Sequence, residues 1–432
     1  MPRALGCPDT YTVVLHYRGG PAAGVAAVIA DPAVIKWTRT LDDISRCEIL
    51  LTKPVCGPLR KALDPATVVN PEWAYEITLY RGDEDQPVWC GPLVDYQETR
   101  TSLKLTADDM LAWLKVRPVP LDYRYTGASA LDATDLAVWL MHEAYALDDP
   151  AALAFIKPTP AGIPATRRGQ AWCEYAWDGV HSLAQHHIDL TTVARTILIG
   201  PEQHSVLGRV LRLTEEDFTG SDSSSGLVLE RDGYTAATMY TAKAQGLQGV
   251  ASAVEDKLPE IPPDDRDFEH EYTYVTPKPD GRTVNASTPA NVATVGGTET
   301  GWRGLVWQLK SMSGTRLIDE VTLTAQRGLA RGRHPHYLRM SGQRLHARSP
   351  VAMDELIPGA RIALYLDETW IRPALTPLRL TDVVVTFDEN GERVEITAEP
   401  VSVNVEDPTD ETAAADNDAQ DEEDQRWHAP NP

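Results

Sequence analysis

Apolar and polar positions alternate with a period of two through the first quarter of the chain. YTVVLHY at Tyr11–Tyr17 is rich in β-branched and aromatic residues and runs into the turn signal Gly19-Gly20-Pro21. GVAAVIA, IKWTRTL and SRCEILLTK follow, each short and bounded by Asp, Pro or Gly. In AYEITLYRG, Tyr75, Ile77 and Leu79 alternate with Glu76, Thr78 and Tyr80, which predicts a strand with one face buried. PVWCGPLVDYQETRTSLKLTA extends the series, and strands at this spacing predict a barrel or sandwich. No βαβ alternation is present.

At Thr106 the period changes. Thr106-Ala107-Asp108-Asp109 sits where a helix starts, with Thr106 or Asp108 as N-cap and Met110, Leu111, Trp113 and Leu114 as a short apolar face. Asp132–Leu147 places Leu136, Trp139, Leu140, Ala144 and Leu147 on one stripe, a second helix. After the Pro-rich stretch Lys157–Pro164, Val180–Gly200 reads as a third, facing its core with Leu183, Ile188, Val193, Ile197 and Leu198. Strands are predicted again at Ser205–Thr214, Gly226–Arg231 and Ala236–Ala242. Residues 255–300, rich in Pro, Asp and Glu, predict a long loop or arm. Gly304–Arg327 opens in a helical pattern, with Val321–Thr324 as a strand. Ala360–Leu366, Arg379–Phe387 and Arg393–Glu399 close the folded part, the last two around the hairpin signal Asn390-Gly391. From Glu406 onward ten acidic residues and almost no apolar ones precede Trp427. That segment cannot bury enough surface to offset its ordering entropy and is expected to be disordered.

Composition narrows the function. The 432 residues are enough for two to four domains, and 42% hydrophobic residues suit a globular chain. Trp (11) and Tyr (15) far outnumber Phe (4), a bias that favours part-exposed surfaces and interfaces. The net charge of −23 excludes wrapping of nucleic acid on a basic face and is compatible with a channel wall that DNA passes without sticking. Cys7, Cys47, Cys56, Cys90 and Cys173 are odd in number and contain no C-x-x-C, so reduced thiols are expected. The N-terminus lacks a signal-peptide core, and the longest apolar stretch, Ala22–Ala30, is too short to span a bilayer.

The chemistry expected of an enzyme is missing. No GxGxxG, Walker A, HExxH or GxSxG occurs, so neither a cofactor nor a catalytic centre is predicted. His142-Glu143 has no second His one turn away, and His181, His186 and His187 are poorly spaced for a metal. Asp42-Asp43 and Asp108-Asp109 imitate a glycosidase pair in sequence only, with no apolar pocket indicated for either acid. Asn285-Ala286-Ser287 is a chance sequon. Interface anchors are a better use of the unusual residues: Trp37, Trp73, Trp89 and Trp302 as aromatic anchors, and Trp427 as a docking tip in the tail. Arg327–Arg348, with Arg333, His334 and His336, is the one basic island and fits an acidic neighbour.

Two stretches resemble a known family. WTRTLDDISRCEILLTKP and WAYEITLYRGDEDQPVWCGPLVDYQETRTSLKLTADDMLAWLKVR are similar to the opening domain of minor tail proteins of siphophages infecting actinobacteria, through Arg39, Asp43, Arg81, Trp89, Gly91, Pro92, Asp108, Asp109, Trp113 and Arg117. ELIPGARIALYL and LRLTDVVVTFDENGERVEITAEP resemble the closing barrel of tail hubs, through Pro358-Gly359 and the final hairpin. The resemblance implies an α+β, mainly β fold: two small β-barrels joined by α/β insertions, as in phage baseplate hubs, with a disordered acidic C-terminal tail. The expected divisions are a barrel over 1–118, a helix-rich insertion over 119–200, a second β-rich region over 201–335, a closing barrel segment over 336–405 and the tail over 406–432. The implied role is a non-enzymatic, homotrimeric hub ring at the tail tip, docked on a distal tail protein ring, the tape measure protein and other minor tail proteins or fibres, with DNA passing through its lumen. Two further readings stay open: a hexameric distal tail protein, and a cell-wall hydrolase or carbohydrate-binding tail module.

Overall fold

The computed structural model of the protein describes residues 10–29, 32–64, 71–82, 84–125, 130–146, 155–165, 167–184, 187–201, 210–220, 226–230, 339–367 and 375–400, with Leu5, Ala66, Val68 and five strands between 239 and 317. Its N-terminal part follows the period-two pattern. Strands β1 (Tyr11–Tyr17), β2 (Val25–Ile29), β3 (Val34–Thr40) and β4 (Arg46–Thr52) form where alternation predicts them. Helix α1 (Gly57–Leu63) packs beside β2 and buries Leu59, Ala62 and Leu63. Then come β5 (Tyr75–Arg81), β6 (Pro87–Glu98) and β7 (Ser102–Asp108). β5 departs from the expected half-buried strand, because Glu76 and Thr78 on its second face are buried as well. The Gly19 amide donates to Glu76 (3.1 Å), and Arg195 reaches the same carboxylate from a distant hairpin.

The middle of the chain is a unit with its own core. Helix α2 (Ala112–Lys115) is a single turn, and Thr106 and Asp108 lie in β7 instead of capping it. Asp109 takes the start-of-turn role, accepting from the Leu111 amide (2.9 Å). β8 (Tyr123–Tyr125) and β9 (Leu131–Asp132) lead into α3 (Ala133–Tyr145). Asp132 caps α3 through the Thr134 amide (2.9 Å) and also accepts from Ala161 (3.1 Å) and Gly162 (2.6 Å), so one carboxylate ties a helix start to a loop. β10 (Phe155–Pro158), β11 (Pro164–Ala165), β12 (Arg167–Gly169) and α4 (Ala176–Ala184) follow. The helix expected over Val180–Gly200 is instead the end of α4 and a hairpin, β13 (Ile188–Val193) and β14 (Thr196–Pro201). Ile188 and Leu190 fit both periods in a short window, and β-branched Thr191, Thr192 and Val193, with Ala194 at φ 52°, settle the choice as strand and turn.

The C-terminal part supplies β15 (Leu211–Thr214), β16 (Phe218–Gly220), β17 (Met239–Lys243), β18 (Gly246–Gln248), β19 (Val292–Gly296), β20 (Trp307–Ser311), β21 (Thr315–Leu317), β22 (Met340–Leu345), β23 (Arg361–Tyr365), β24 (Leu375–Asp388) and β25 (Gly391–Pro400). β19 falls inside the expected loop, and β20 and β21 replace the expected helical start at Gly304. Among the described residues of Gly226–Arg231, only Glu230 pairs, as a bridge to Arg339. Val321–Thr324 and the segment from Glu406 lie outside the described residues. The Asn390-Gly391 signal makes the β24–β25 hairpin, with Asp388 opposite Gly391 and Gly391 at φ 92°.

Thirteen strands join into one sheet, ordered β16-β22-β25-β24-β3-β4-β7-β6-β5-β1-β2, with β23 on β24 and β15 on β23. β24 is long enough to change partner along one edge: Leu375–Arg379 pairs with β23 and Asp382–Phe387 with β3. The first and last thirds of the chain thereby share one core, from Leu15, Ile35 and Trp37 to Ile362, Val385 and Ile396. On each side of β24 the sheet curls, because the end strands of each arc are close in sequence. β2 and β3 are separated by residues 30–33, and β15 and β16 by the 3-10 turn Glu215–Asp217. Neither arc closes by hydrogen bonds among the described residues: the second edge of β3 is taken by β24 and not by β2, and β15 does not pair with β16.

Candidate assembly interface

The predicted aromatic anchors are placed unequally. Trp37 and Trp89 are buried in the shared core, Trp37 beside Ile35 on the inner face of β3 and Trp89 opposite Leu79 of β5. Trp73 is half-buried at φ 65°, tilted against Trp113 with ring centroids 5.1 Å apart. Each of these rings spends much of its area on its own chain. Trp302, Arg333, His334, His336 and Trp427 lie outside the described residues.

The positions that carry the family resemblance are mostly tertiary clamps. Arg39 shares the core face of β3 with Trp37 and is 1% exposed, its guanidinium donating to the carbonyls of Met353 (3.0 Å), Leu356 (2.9 Å) and Val88 (2.9 Å). Burial lowers its pKa to about 10, outweighing the opposing pull of Tyr11 and Asp354. Arg81 pairs with Glu392 across the ends of the chain, through Nε (2.9 Å) and Nη2 (2.8 Å), and the Tyr11 hydroxyl donates to the same carboxylate (2.6 Å). At Gly91, where β6 passes from β5 to β7, a Cβ would overlap the Asp108 carbonyl. Arg117 lies over the Trp113 ring at 4.6 Å.

The acid pairs resolve into separate structural roles. Asp108, largely buried, accepts from the exposed Arg46 (2.8 Å). Asp109 is buried and accepts from the Ser45 amide (2.8 Å), Leu111 amide and Thr192 hydroxyl (2.7 Å). Burial raises its carboxyl to about 6. Asp42, at φ 61°, exchanges hydrogen bonds with Leu190: its amide donates to the Leu190 carbonyl and its carboxylate accepts from the Leu190 amide, both at 2.8 Å. Arg379 of β24 grips Asp189 of β13 (2.9 and 3.0 Å). These contacts lock the middle unit onto the sheet. Among the described residues no group of three His, Cys, Asp or Glu side chains converges on a metal position, and no helix is long and apolar enough to cross a membrane. His181 stacks on Trp177 with centroids 5.0 Å apart.

What the described surface does present is a sheet end. β2 (VAAVI) carries no charge and no Pro, and among the described residues no strand pairs with its outer edge. The Cys56 thiol takes one of its acceptors, Val28 O, at 3.8 Å. Val25 is 55% exposed, Val28 53% and Tyr17, on neighbouring β1, 50%. Soluble proteins blunt such edges with Lys, Pro or a covering element; α1 and Cys56 flank part of this one, and the valines left exposed beside them fit a strand or sheet brought by another chain. The aromatic emphasis of the sequence passed over these two valines, since apolar residues on a strand read as core until the sheet order is known.

No protein-family model and no curated protein matches the sequence. In three dimensions the chain is similar to the tail protein from Neisseria meningitidis MC58, with a TM-score of 0.54 and 12% identity over 91% of this chain and 98% of that one. It is likewise similar to the 43 kDa tail protein of prophage MuSo2 from Shewanella oneidensis, with a TM-score of 0.53 and 11% identity over 91% and 99%. At such identities the likeness is one of fold: mainly β with few helices, shared with tail proteins along nearly their whole length.

Proposed function

We propose that this chain is a structural, non-enzymatic component of a phage tail, a homotrimeric hub ring at the tail tip. The whole-length likeness of fold to tail proteins supports the tail role, and the apolar β2 edge, which no described strand pairs, is the observation that carries the ring. Strands over 1–118 form one curled arc, and those over 336–405 with β15 and β16 form the other; these would be the precursors of two barrels per subunit and six around a ring. The ring would dock on a distal tail protein ring and carry the tape measure protein and fibres. A net charge of −23 suits a lumen through which DNA passes unbound.

The test is the mass of the purified full chain by light scattering, for the wild type and for Val28→Lys. A trimer that dissociates on Val28→Lys, with an unchanged melting temperature, supports the ring. A hexamer transfers the chain to the distal tail ring. A monomer whose copy number in intact tails is not three refutes the hub.

A further inference from the structure

The middle unit carries a second surface feature, independent of the ring. A cleft of about 420 Å³ is lined by Asp122, Tyr123, Arg124, Gly169 and Gln170. Its floor is rigid. The Tyr123 hydroxyl donates to Glu174 and accepts from Arg167 Nε (3.0 Å), while Arg167 pairs with Glu174 (2.9 Å). Behind it Tyr123, Tyr125 and Trp139 pack with ring centroids 5.0–6.2 Å apart. Gly169 lies opposite Tyr123 in the β8–β12 pair, and a Cβ there would run into the Tyr123 ring and the Glu174 carboxylate.

The rim is unusual in a different way. Trp172 is held at φ 63°, a left-handed conformation that costs a bulky residue about 1–3 kcal/mol, and its side chain is 62% exposed. The strain is imposed by the loop: the Trp172 amide donates to Val119 O (2.8 Å), the Ala171 amide to Asp122 (2.8 Å) and the Cys173 amide to Gln170 O (3.1 Å). Three residues further along the chain, Tyr175 is 51% exposed. An indole displayed in water at the cost of backbone strain, next to a cleft, points to a ligand for its face.

We infer that the cleft formed by Asp122, Tyr123, Arg124, Gly169 and Gln170, together with the exposed Trp172 next to the Ala171–Asp122 contact and Tyr175 three residues on, binds a saccharide chain. A sugar offers a C–H face to an aromatic ring and hydroxyls that both donate and accept around its edge. The cleft supplies the complement: ring faces from Trp172 and Tyr175, a carboxylate at Asp122, an amide at Gln170 and a guanidinium at Arg124. The acids Asp122 and Glu174 disfavour a polyanion.

The experiment uses the full chain against protein-free bacterial polysaccharides, with chitohexaose as a defined probe, read by intrinsic tryptophan fluorescence and calorimetry. Trp172→Gly removes the ring and suits the left-handed backbone, so it should fold at least as well as wild type. Gln170→Ala, at an exposed position, is the second variant. Saturable binding weakened about tenfold or more by Trp172→Gly, and weakened also by Gln170→Ala, with melting temperature and light-scattering mass unchanged, is the expected result. No binding to any saccharide, or binding that both variants retain, overturns the proposal. Loss of a protein partner instead of a saccharide in Trp172→Gly overturns it as well and assigns the patch to protein docking.

Discussion

Replacing Glu392 with Ala leaves the Arg81 guanidinium charged and buried without its buried carboxylate, with Glu84 still at 3.3 Å, and is expected to destabilise the fold by about 3–5 kcal/mol. The two side chains are 1% and 0% exposed, and the pair makes two N–H···O bonds of 2.9 and 2.8 Å. Burial alone would lower the Arg81 pKa, and the hydrogen bonds and charge of Glu392 override it, holding the group above its ordinary range. Removing the carboxylate also takes the acceptor from the Tyr11 hydroxyl. At about 2 °C per kcal/mol for a unit of this size, the melting temperature should fall by about 6–10 °C. Urea unfolding followed by tryptophan fluorescence measures the free energy directly. The paired replacement Arg81→Met with Glu392→Leu removes both charges and should recover most of the loss, because well-packed apolar groups replace a buried ion pair at little cost. The reasoning is refuted by a loss below about 1 kcal/mol for Glu392→Ala, or by a double variant as unstable as the single one.

Two other perturbations test other clamps. Asp109, raised by burial from its ordinary 3.8 to about 6, keeps its proton in the folded chain where the unfolded chain has lost it. Its contribution is therefore fully present below pH ~4 and falls as pH rises to ~6, by about 3 kcal/mol at most. Asp109→Asn should flatten that part of the stability profile, so its urea midpoint relative to wild type improves between pH 4 and pH 7; an unchanged difference would contradict the assignment. Gly91→Ala drives a methyl into the Asp108 carbonyl and should cost about 1–3 kcal/mol or abolish soluble expression, whereas Gly57→Ala, with open space around it, should be near neutral.

Much of the local structure was legible because its signals are local. Tyr11–Tyr17 becomes β1 residue for residue, Asp132 starts α3, and Asn390-Gly391 turns the last hairpin. The errors fall where two periods fit the same short run. Val180–Gly200 carries apolar residues that satisfy a helical stripe, yet β-branched residues and the Ala194 turn make it a hairpin. The interface was the least legible part. Trp37 and Trp89 drew attention by residue type but sit in the core, whereas Val25 and Val28 matter only because β2 ends the sheet.

By itself the sequence determined a mainly β chain, with no cofactor motif, a strongly acidic balance and strand pairs at each end, because alternation, turn residues and charge act over a few neighbouring positions. Only the tertiary structure decided that those ends are one sheet. Val383 of β24 lies opposite Arg39 of β3, a partnership no local pattern can announce, since loop closure over hundreds of residues is favourable only once a whole core forms. The same holds for the charged residues. Nothing local marks Arg39, Arg81, Asp109 or Arg379 as buried, and burial with specific partners makes them the clamps of the fold.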